Sequence, residues 1–210
     1  MSAPNVMVIA PHPDDEVLGC GGTIRLRIER GDRVSAVFLT SGELGLKHLP
    51  QRKAWSIRES EARRAARILG LHRLFFLHQP DWTLDQHLKT ASAALRPLLK
   101  AHLPDVIYLP HPDDAHPDHR AAWPLLKHAL PRSASPPELF AYEIWSPLPQ
   151  PDCVVDITSV MPRKIRALRA HRSQLNEFDY VQAVTGLNQF RGALSAKCHF
   201  AEAFCRLSLR

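Results

Sequence analysis

The stretch NVMVIAPHPDDEVLGCGG, residues 5–22, combines an apolar strand-like run, a polar turn and the start of a helix. NVMVIA ends at a proline-rich turn, and EVLGCGGTIRLRIERG has helical length and a glycine stop. The pentapeptide PHPDD of this turn occurs again in YLPHPDDAHPDHR, residues 108–120, directly after the strand-like DVIYLP. The helices that follow the two copies share almost no sequence, so we interpret the copies as different parts of one site and not as an internal repeat.

The remaining sequence continues the alternation of strands and helices. RVSAVFLTSG and HRLFFL are typical of strands, whereas the basic segment of residues 51–73, LDQHLKTASAALRPLLKAH and HPDHRAAWPLLKHAL are typical of helices. This order predicts an α/β fold with a mostly parallel sheet and helices on both faces. After the loop PRSASPP the pattern is less regular, with strand-like ELFAYEIW and CVVDIT and a helical VMPRKIRALRAHRSQL. We expect one domain over residues 1–210, with about 1–130 as core βα units and about 131–210 as finishing strands and helices.

Composition narrows the class of protein. The chain has 210 residues, 45% of them hydrophobic, which suits one domain with a sizeable core. Its net charge is +6, but glutamates interleave with the arginines of the basic helix, so we expect no nucleic-acid partner. The sequence predicts no transmembrane segment, and four cysteines without a CxxC pair favour a cytoplasmic protein; a homo-oligomer is compatible with the sequence.

The first PHPDD copy offers the chemistry of a metal site. His12 precedes a proline, and Asp14 and Asp15 fall at the predicted helix start, beyond the carboxyl end of a strand. Imidazole and carboxylate suit zinc or another divalent first-row metal, and a catalytic zinc keeps one position open for water. His12 can supply one ligand and one of the aspartates a second, which leaves the other aspartate as a general base for the water.

The second copy lies in a loop with a high density of such groups. Within nine residues it carries the side chains of His111, Asp113, Asp114, His116, Asp118 and His119. The i, i+3 spacing of His116 and His119 lets both face one side of a turn or helix. One of the two can then bind the metal, while the other donates a hydrogen bond to a developing oxyanion.

These motifs together resemble the PIG-L or LmbE-like de-N-acetylases, zinc hydrolases that remove acetyl groups from N-acetylglucosamine units. The resemblance rests on PHPDDEVLGCGG and on the HPDH of residues 116–119, and it continues through SIRESEARRAARILG and KIRALRAHRSQ. It implies a Rossmann-like three-layer sandwich that forms a single deacetylase domain. It also implies one Zn²⁺ per chain, with Fe²⁺ as an alternative, and a small-molecule amino-sugar substrate.

Carried over to this sequence, the resemblance implies a role for each motif residue. His12, Asp15 and His119 would bind the metal, Asp14 would be the general base, and His116 would stabilise the tetrahedral intermediate. Arg58 corresponds to an arginine that contacts substrate in relatives, and Trp82, in the loop after a predicted strand, is the best placed tryptophan to stack on a sugar. Asp114 and His171 are expected to support the site from behind the metal ligands.

The function expected from the sequence is therefore zinc-dependent hydrolysis of an N-acetyl group on an N-acetylglucosamine-type conjugate, by a metal-activated water with an aspartate as general base. Two alternatives remain open. A metallophosphoesterase acting on a phosphorylated small molecule could use similar clusters of aspartate and histidine in a two-metal centre. A catalytically silent sugar-binding relative could keep the fold without the chemistry.

Overall fold

Seven strands form one sheet in the computed structural model, which describes residues 3–131 and 135–209. The strands are β1 (Asn5–Ala10), β2 (Arg33–Phe38), β3 (Arg73–Phe76), β4 (Val106–Pro110), β5 (Glu138–Tyr142), β6 (Cys153–Asp156) and β7 (Ala201–Leu207). Their order in the sheet is β3-β2-β1-β4-β5-β7-β6. The first five run parallel, and β7 pairs antiparallel with both β5 and β6, so the predicted mostly parallel α/β sheet is confirmed.

Seven α-helices flank the sheet within the described part of the chain. They are α1 (Asp15–Glu29), α2 (Gln51–Leu69), α3 (Leu88–His102), α4 (Pro117–Ala129), α5 (Met161–Leu168), α6 (Arg172–Leu175) and α7 (Tyr180–Arg191). Neither α7 nor β7 was predicted from the sequence. The predicted helix VMPRKIRALRAHRSQL is wrong as a single element, because it breaks into α5 and α6 at a turn ending at His171. Residues 132–134 of the predicted loop PRSASPP lie outside the described residues.

The strands bury both faces, as a parallel sheet requires. Along β1, Val6 and Val8 point into one apolar core and Met7 and Ile9 into the other. The first core includes residues of α1, α2 and α5, and the second includes residues of α3 and α4. Two helix layers therefore enclose the sheet, which is the predicted three-layer arrangement.

Helix α1 is held in place by contacts that the apolar pattern does not show. A Cβ atom at Gly19 would overlap the ring of Tyr142 on β5, so the glycine permits a close approach of α1 to the sheet. The helix is interrupted at Cys20, which has a non-helical φ of −143°. On the C-terminal side of this interruption, the amides of Gly22 and Thr23 donate hydrogen bonds to the buried carboxylate of Glu202. The part of α1 that directly follows the motif aspartates is thereby fixed against the sheet.

Candidate active site

The two PHPDD loops meet at the carboxyl edge of the sheet. They follow β1 and β4, which are neighbours in the sheet although β2 and β3 lie between them in the sequence. The chain changes direction across the sheet at this pair of strands, and such a switch point leaves a crevice between diverging loops. A cavity of about 380 Å³ lies here, lined among others by His12, Asp14, Asp15, His116 and Arg58.

Two buried imidazoles flank one carboxylate oxygen at the base of this cavity. Asp15 Oδ2 lies 3.2 Å from His12 Nδ1 and 3.3 Å from His119 Nε2. The contact to His119 lacks hydrogen-bond geometry, and His119 Nε2 is a buried nitrogen without a hydrogen-bond partner. The structure thus brings together the three side chains that the resemblance implied as metal ligands, with an unpartnered nitrogen facing their centre.

The far nitrogen of each imidazole contacts a buried carboxylate. His12 Nε2 lies 3.1 Å from both Asp118 Oδ2 and Asp81 Oδ1, and His119 Nδ1 lies 2.9 Å from Asp114 Oδ1. If these nitrogens donate to the carboxylates, the lone pairs of His12 Nδ1 and His119 Nε2 are left to face Asp15. This is the arrangement that orients histidine ligands around a metal ion.

The charges of this cluster also favour a cation. Although burial alone would lower it, the neighbouring Asp15 and a hydrogen bond to Asp114 raise the pKa of His119 to about 9. Burial likewise opposes the charge on His12, but Asp15, Asp118 and Asp81 raise its pKa well above the ordinary value. The carboxylates stabilise protons on these buried imidazoles. A divalent ion bound among the same groups would displace the protons and would balance the negative charge of the carboxylates in their place. The residues present therefore fit the metal that the resemblance implies.

Two further groupings of donor atoms occur among the described residues. His12, His116 and His119 each place one nitrogen within 4.8 Å of the others, as do the ligand atoms of His12, Asp81 and Asp118. In the first grouping, His116 Nδ1 already accepts a hydrogen bond from the amide of Asp118.

The carboxylates of the second grouping also accept hydrogen bonds from backbone amides. The carboxylate of Asp118 accepts hydrogen bonds from the amides of Trp82 and Leu84, and that of Asp81 accepts from the amides of Leu44 and Trp82. Asp15 Oδ2 likewise accepts a hydrogen bond from the amide of His12 over 2.8 Å, and what sets the cluster around Asp15 apart from the second grouping is the unpartnered Nε2 of His119.

Asp14 is buried beside the cluster in an unusual backbone conformation. Its φ of 138° is outside the range that most side chains adopt, and its amide donates a hydrogen bond to Glu16 Oε2 over 3.1 Å. Arg58 Nη2 lies 3.5 Å from Asp14 Oδ2 and donates to the carbonyl oxygen of Pro13 over 2.7 Å. Burial raises the pKa of Asp14 to about 7, against the opposing charge of Arg58. The carboxylate is thus held at the cavity wall without belonging to the two-imidazole cluster.

His116 caps the N-terminus of α4 and lines the cavity. Because its Nδ1 accepts a hydrogen bond from the amide of Asp118, the neutral ring carries its proton on Nε2. Burial, together with the charges of His12 and His119, lowers the pKa of His116 to about 4, so the neutral form is favoured. A neutral imidazole with a proton on Nε2 is a hydrogen-bond donor, which is what the predicted oxyanion role requires.

The two predicted substrate contacts lie at different depths. Arg58 is only 2% exposed, yet its guanidinium lines the cavity. Trp82 is 52% exposed, and its ring centroid lies 4.5 Å from that of His116. Arg58 therefore contacts the motif backbone as well as the cavity, whereas Trp82 lines the cavity with about half of its side chain open to solvent.

The two predicted supporting residues contact different parts of the site, Asp114 the imidazole of His119 and His171 the carboxylate of Glu16. The carboxylate of Asp114 accepts from the amides of His116, Trp145 and Ser146 in addition to its contact with His119. His171 is fully buried, has no hydrogen-bond partner on either ring nitrogen, and lies 3.8 Å from Glu16 Oε1. Burial lowers the pKa of His171 to about 3, so it is a neutral ring. His171 thus packs behind the glutamate that holds Asp14.

Three site residues received no role from the sequence. Asp118 lies inside HPDH and Glu16 directly follows PHPDD. Both are therefore part of the motifs, but nothing in the sequence pattern indicated a role for either of them. Asp81 follows β3, and its place after a parallel strand could have indicated a position at this edge of the sheet. His111 and Asp113 do not line the cavity.

Comparison with known proteins places this site in a family. The sequence profile described as PIG-L: GlcNAc-PI de-N-acetylase matches residues 7–130. The chain is similar to the diacetylchitobiose deacetylase of Thermococcus kodakarensis, with 29% identity over 82% of this chain and 70% of the relative. It is similar to the probable N-acetyl-alpha-D-glucosaminyl L-malate deacetylase 2 of Bacillus cereus, with 31% identity over 81% of this chain and 83% of the relative.

A solved structure agrees with these relatives. The N,N'-diacetylchitobiose deacetylase of Pyrococcus horikoshii superposes with a TM-score of 0.82 and 26% identity, over 99% of this chain and 85% of that chain. These proteins give no support to the metallophosphoesterase or the silent sugar-binding alternative. Among the described residues, no helix has both the length and the apolar character needed to cross a bilayer. The profile covers more than half of the chain, and the chain therefore belongs to the PIG-L family of de-N-acetylases.

Proposed function

We propose that this protein is a metal-dependent hydrolase that removes an N-acetyl group from an N-acetylglucosamine-type conjugate. The observation that carries the proposal is the carboxylate of Asp15 between two buried imidazoles, beside the separate carboxylate of Asp14 in one cavity. The relatives named as deacetylases of acetylated glucosamine compounds support the reaction class.

His12, Asp15 and His119 would hold the metal, with zinc as the expected ion. A divalent ion there would polarise the acetamide carbonyl and lower the pKa of a water molecule. Asp114, with Asp81 and Asp118, keeps the two imidazoles oriented by contacting their far nitrogens.

Asp14 takes the role of general base in this proposal. Its carboxylate lines the cavity next to the metal cluster and is held from behind by Glu16 and Arg58. It accepts the proton of the attacking water, and this proton is then available to the leaving amine. The N–H at His116 Nε2 donates a hydrogen bond to the oxygen that becomes negative as the carbonyl is attacked, and the ring keeps its proton. In the same proposal Trp82 stacks on the sugar ring, and Arg58 contacts the substrate.

The test is amine release from a panel of N-acetylated sugars. Protein stripped with a chelator and reloaded with one equivalent of Zn²⁺ should release free amine, whereas the stripped protein should be inactive. Fe²⁺ reloading provides a second arm that compares the two metals. Absence of amine release from every sugar with either metal, or saturation at two metals per chain together with phosphate release from sugar phosphates, would contradict the proposal.

A further inference from the structure

A second cavity, of about 520 Å³, adjoins the catalytic cavity. Four side chains line both cavities and form what we term the shared wall: Leu18, Trp145, Phe178 and Tyr180. We propose that the second cavity binds an apolar group carried by the amino-sugar substrate. This inference rests on the deacetylase function proposed above and specifies the class of substrate.

The shared wall begins close to the reacting groups. Leu18 lies one helical turn after Asp14, and its amide donates a hydrogen bond to the Asp14 carbonyl oxygen over 2.9 Å. Burial, with the charges of Asp14 and Asp15, raises the pKa of Tyr180 well above its ordinary value, so its hydroxyl stays neutral. A substrate whose amide lies against Asp14 therefore has the shared wall within reach of its other substituents.

The second cavity is lined mainly by apolar surface. Ile144, Val184 and Leu187 extend the shared wall. The carboxylate of Glu143 is engaged by Arg191 over 2.7 and 3.0 Å, and it also accepts from the amide of Leu148. Asp179 caps α7 by accepting from the amide of Gln182. With these two carboxylates engaged, the cavity suits an aryl or alkyl group better than a phosphate.

Aromatic side chains beside the catalytic cavity are left open to solvent. Trp145 is 45% exposed and Phe178 is 54% exposed. Their rings contact each other edge to face, with centroids 5.5 Å apart, and Trp145 contacts Tyr180 in the same way at 6.1 Å. Exposed apolar surface of this kind next to an active site is the usual mark of a ligand contact. An apolar substituent would remove it from water.

The apolar group could belong to either side of the reacting amide. It could be an aryl or alkyl substituent on the anomeric oxygen of the sugar, or it could be an N-acyl chain longer than acetyl. Three substrates separate the sources: N-acetylglucosamine, its phenyl glycoside, and N-hexanoylglucosamine. We expect kcat/KM for at least one of the two substituted compounds to exceed that of N-acetylglucosamine by about tenfold or more.

A cavity-filling variant tests whether the second cavity causes this preference. Ala183 lies at an exposed position of α7 and lines the second cavity but not the catalytic one. Ala183→Phe should therefore reduce the ratio of kcat/KM for the preferred substituted sugar to kcat/KM for N-acetylglucosamine to near one. Ala93→Phe is the matched control, because Ala93 is also exposed on a helix, α3, and lines neither cavity. A ratio near one in the wild type, or a ratio that Ala183→Phe leaves unchanged, would overturn the inference.

A binding measurement separates this inference from the proposed function. If zinc-loaded protein releases amine from none of the sugars, the proposed function fails. Calorimetry can then compare the Kd of the three sugars for the wild type and for Ala183→Phe. Tighter binding of a substituted sugar, weakened about tenfold or more by Ala183→Phe alone, would still support an apolar subsite. Equal Kd values in the wild type, or a preference that Ala183→Phe does not change, would exclude it.

Discussion

The two PHPDD copies share five letters and a turn, but their side chains differ in surroundings. In both, the amide of the last aspartate donates to the carbonyl oxygen of the histidine, Asp15 to His12 and Asp114 to His111. In the first copy α1 begins at that last aspartate, whereas in the second, Ala115 and the capping His116 intervene before α4 begins. The start of the following helix, and not the pentapeptide, therefore decides which side chains enter the cavity.

Only the last aspartate has a related role in both copies. Asp15 Oδ2 lies 3.3 Å from His119 Nε2, and Asp114 Oδ1 lies 2.9 Å from His119 Nδ1, so the two aspartates contact the same imidazole from opposite nitrogens. The histidines differ, because His12 is buried in the cluster while His111 is half-buried outside the cavity. The side chain of Asp113 is 89% exposed, in contrast to the buried Asp14.

The largest difference between the copies is expected at their histidines. His12→Ala removes a proposed ligand, and we expect Zn²⁺ affinity and amine release each to fall by more than about 100-fold. This loss is larger than the roughly 10 to 100-fold expected when a residue that only orients a ligand is replaced. His111→Ala, at the equivalent letter, should change either quantity by less than about threefold. Competition with a chromophoric chelator measures the affinity. Comparable zinc loss in both variants would contradict the division between the copies.

The next difference is expected at the middle aspartates. Asp14→Asn keeps the shape of the side chain but removes the base, so amine release should fall by about 10² to 10⁴-fold while zinc stays bound. Asp113→Asn, at the solvent-exposed counterpart, should have wild-type activity. His119→Ala provides the contrast, because it should lose the metal itself. Zinc loss in Asp14→Asn as complete as in His119→Ala would show that Asp14 is a ligand instead.

The sequence predicted the parts of this site that lie in loops directly after parallel strands. His12, Asp14 and Asp15 follow β1, and His116 and His119 follow β4, so the α/β pattern alone places them at one edge of the sheet. The family resemblance then distributed roles among them. The structure adds the tautomers, since Asp118 and Asp114 determine which nitrogens of His116 and His119 are free.

The parts that were not predicted depend on contacts between distant segments. Strand β7 pairs Phe204 with Tyr142 of β5, a register that no local pattern specifies. The buried Lys164 donates to Glu202 and to the carbonyl oxygen of Leu18, which joins three segments far apart in the chain. The shared wall likewise combines α1, the segment after β5 and the start of α7. Long-range packing of this kind leaves no periodic signal in the sequence.

The smallest difference is expected between the last aspartates, because both contact His119. Asp15→Asn changes a proposed ligand and should lose the metal. Asp114→Asn should instead weaken Zn²⁺ binding about 10 to 100-fold, because Asp114 supports His119 from its far nitrogen. The carboxylate of Asp114 also accepts from backbone amides, among them those of Trp145 and Ser146. An asparagine has one oxygen fewer, so its amide nitrogen must face a donor.

This geometry gives Asp114→Asn two effects that can be separated. An unpaired buried donor costs about 1–3 kcal/mol, so the free energy of unfolding of the metal-free protein should fall. The weaker zinc binding should be measurable as a higher Kd at a temperature where the variant is fully folded, with Asp113→Asn as the control for the loss of one charge. Lower stability with an unchanged Kd would mean that Asp114 only fixes the loop. A higher Kd would show that both copies of PHPDD act on the same metal ligand, one directly and the other through its orientation.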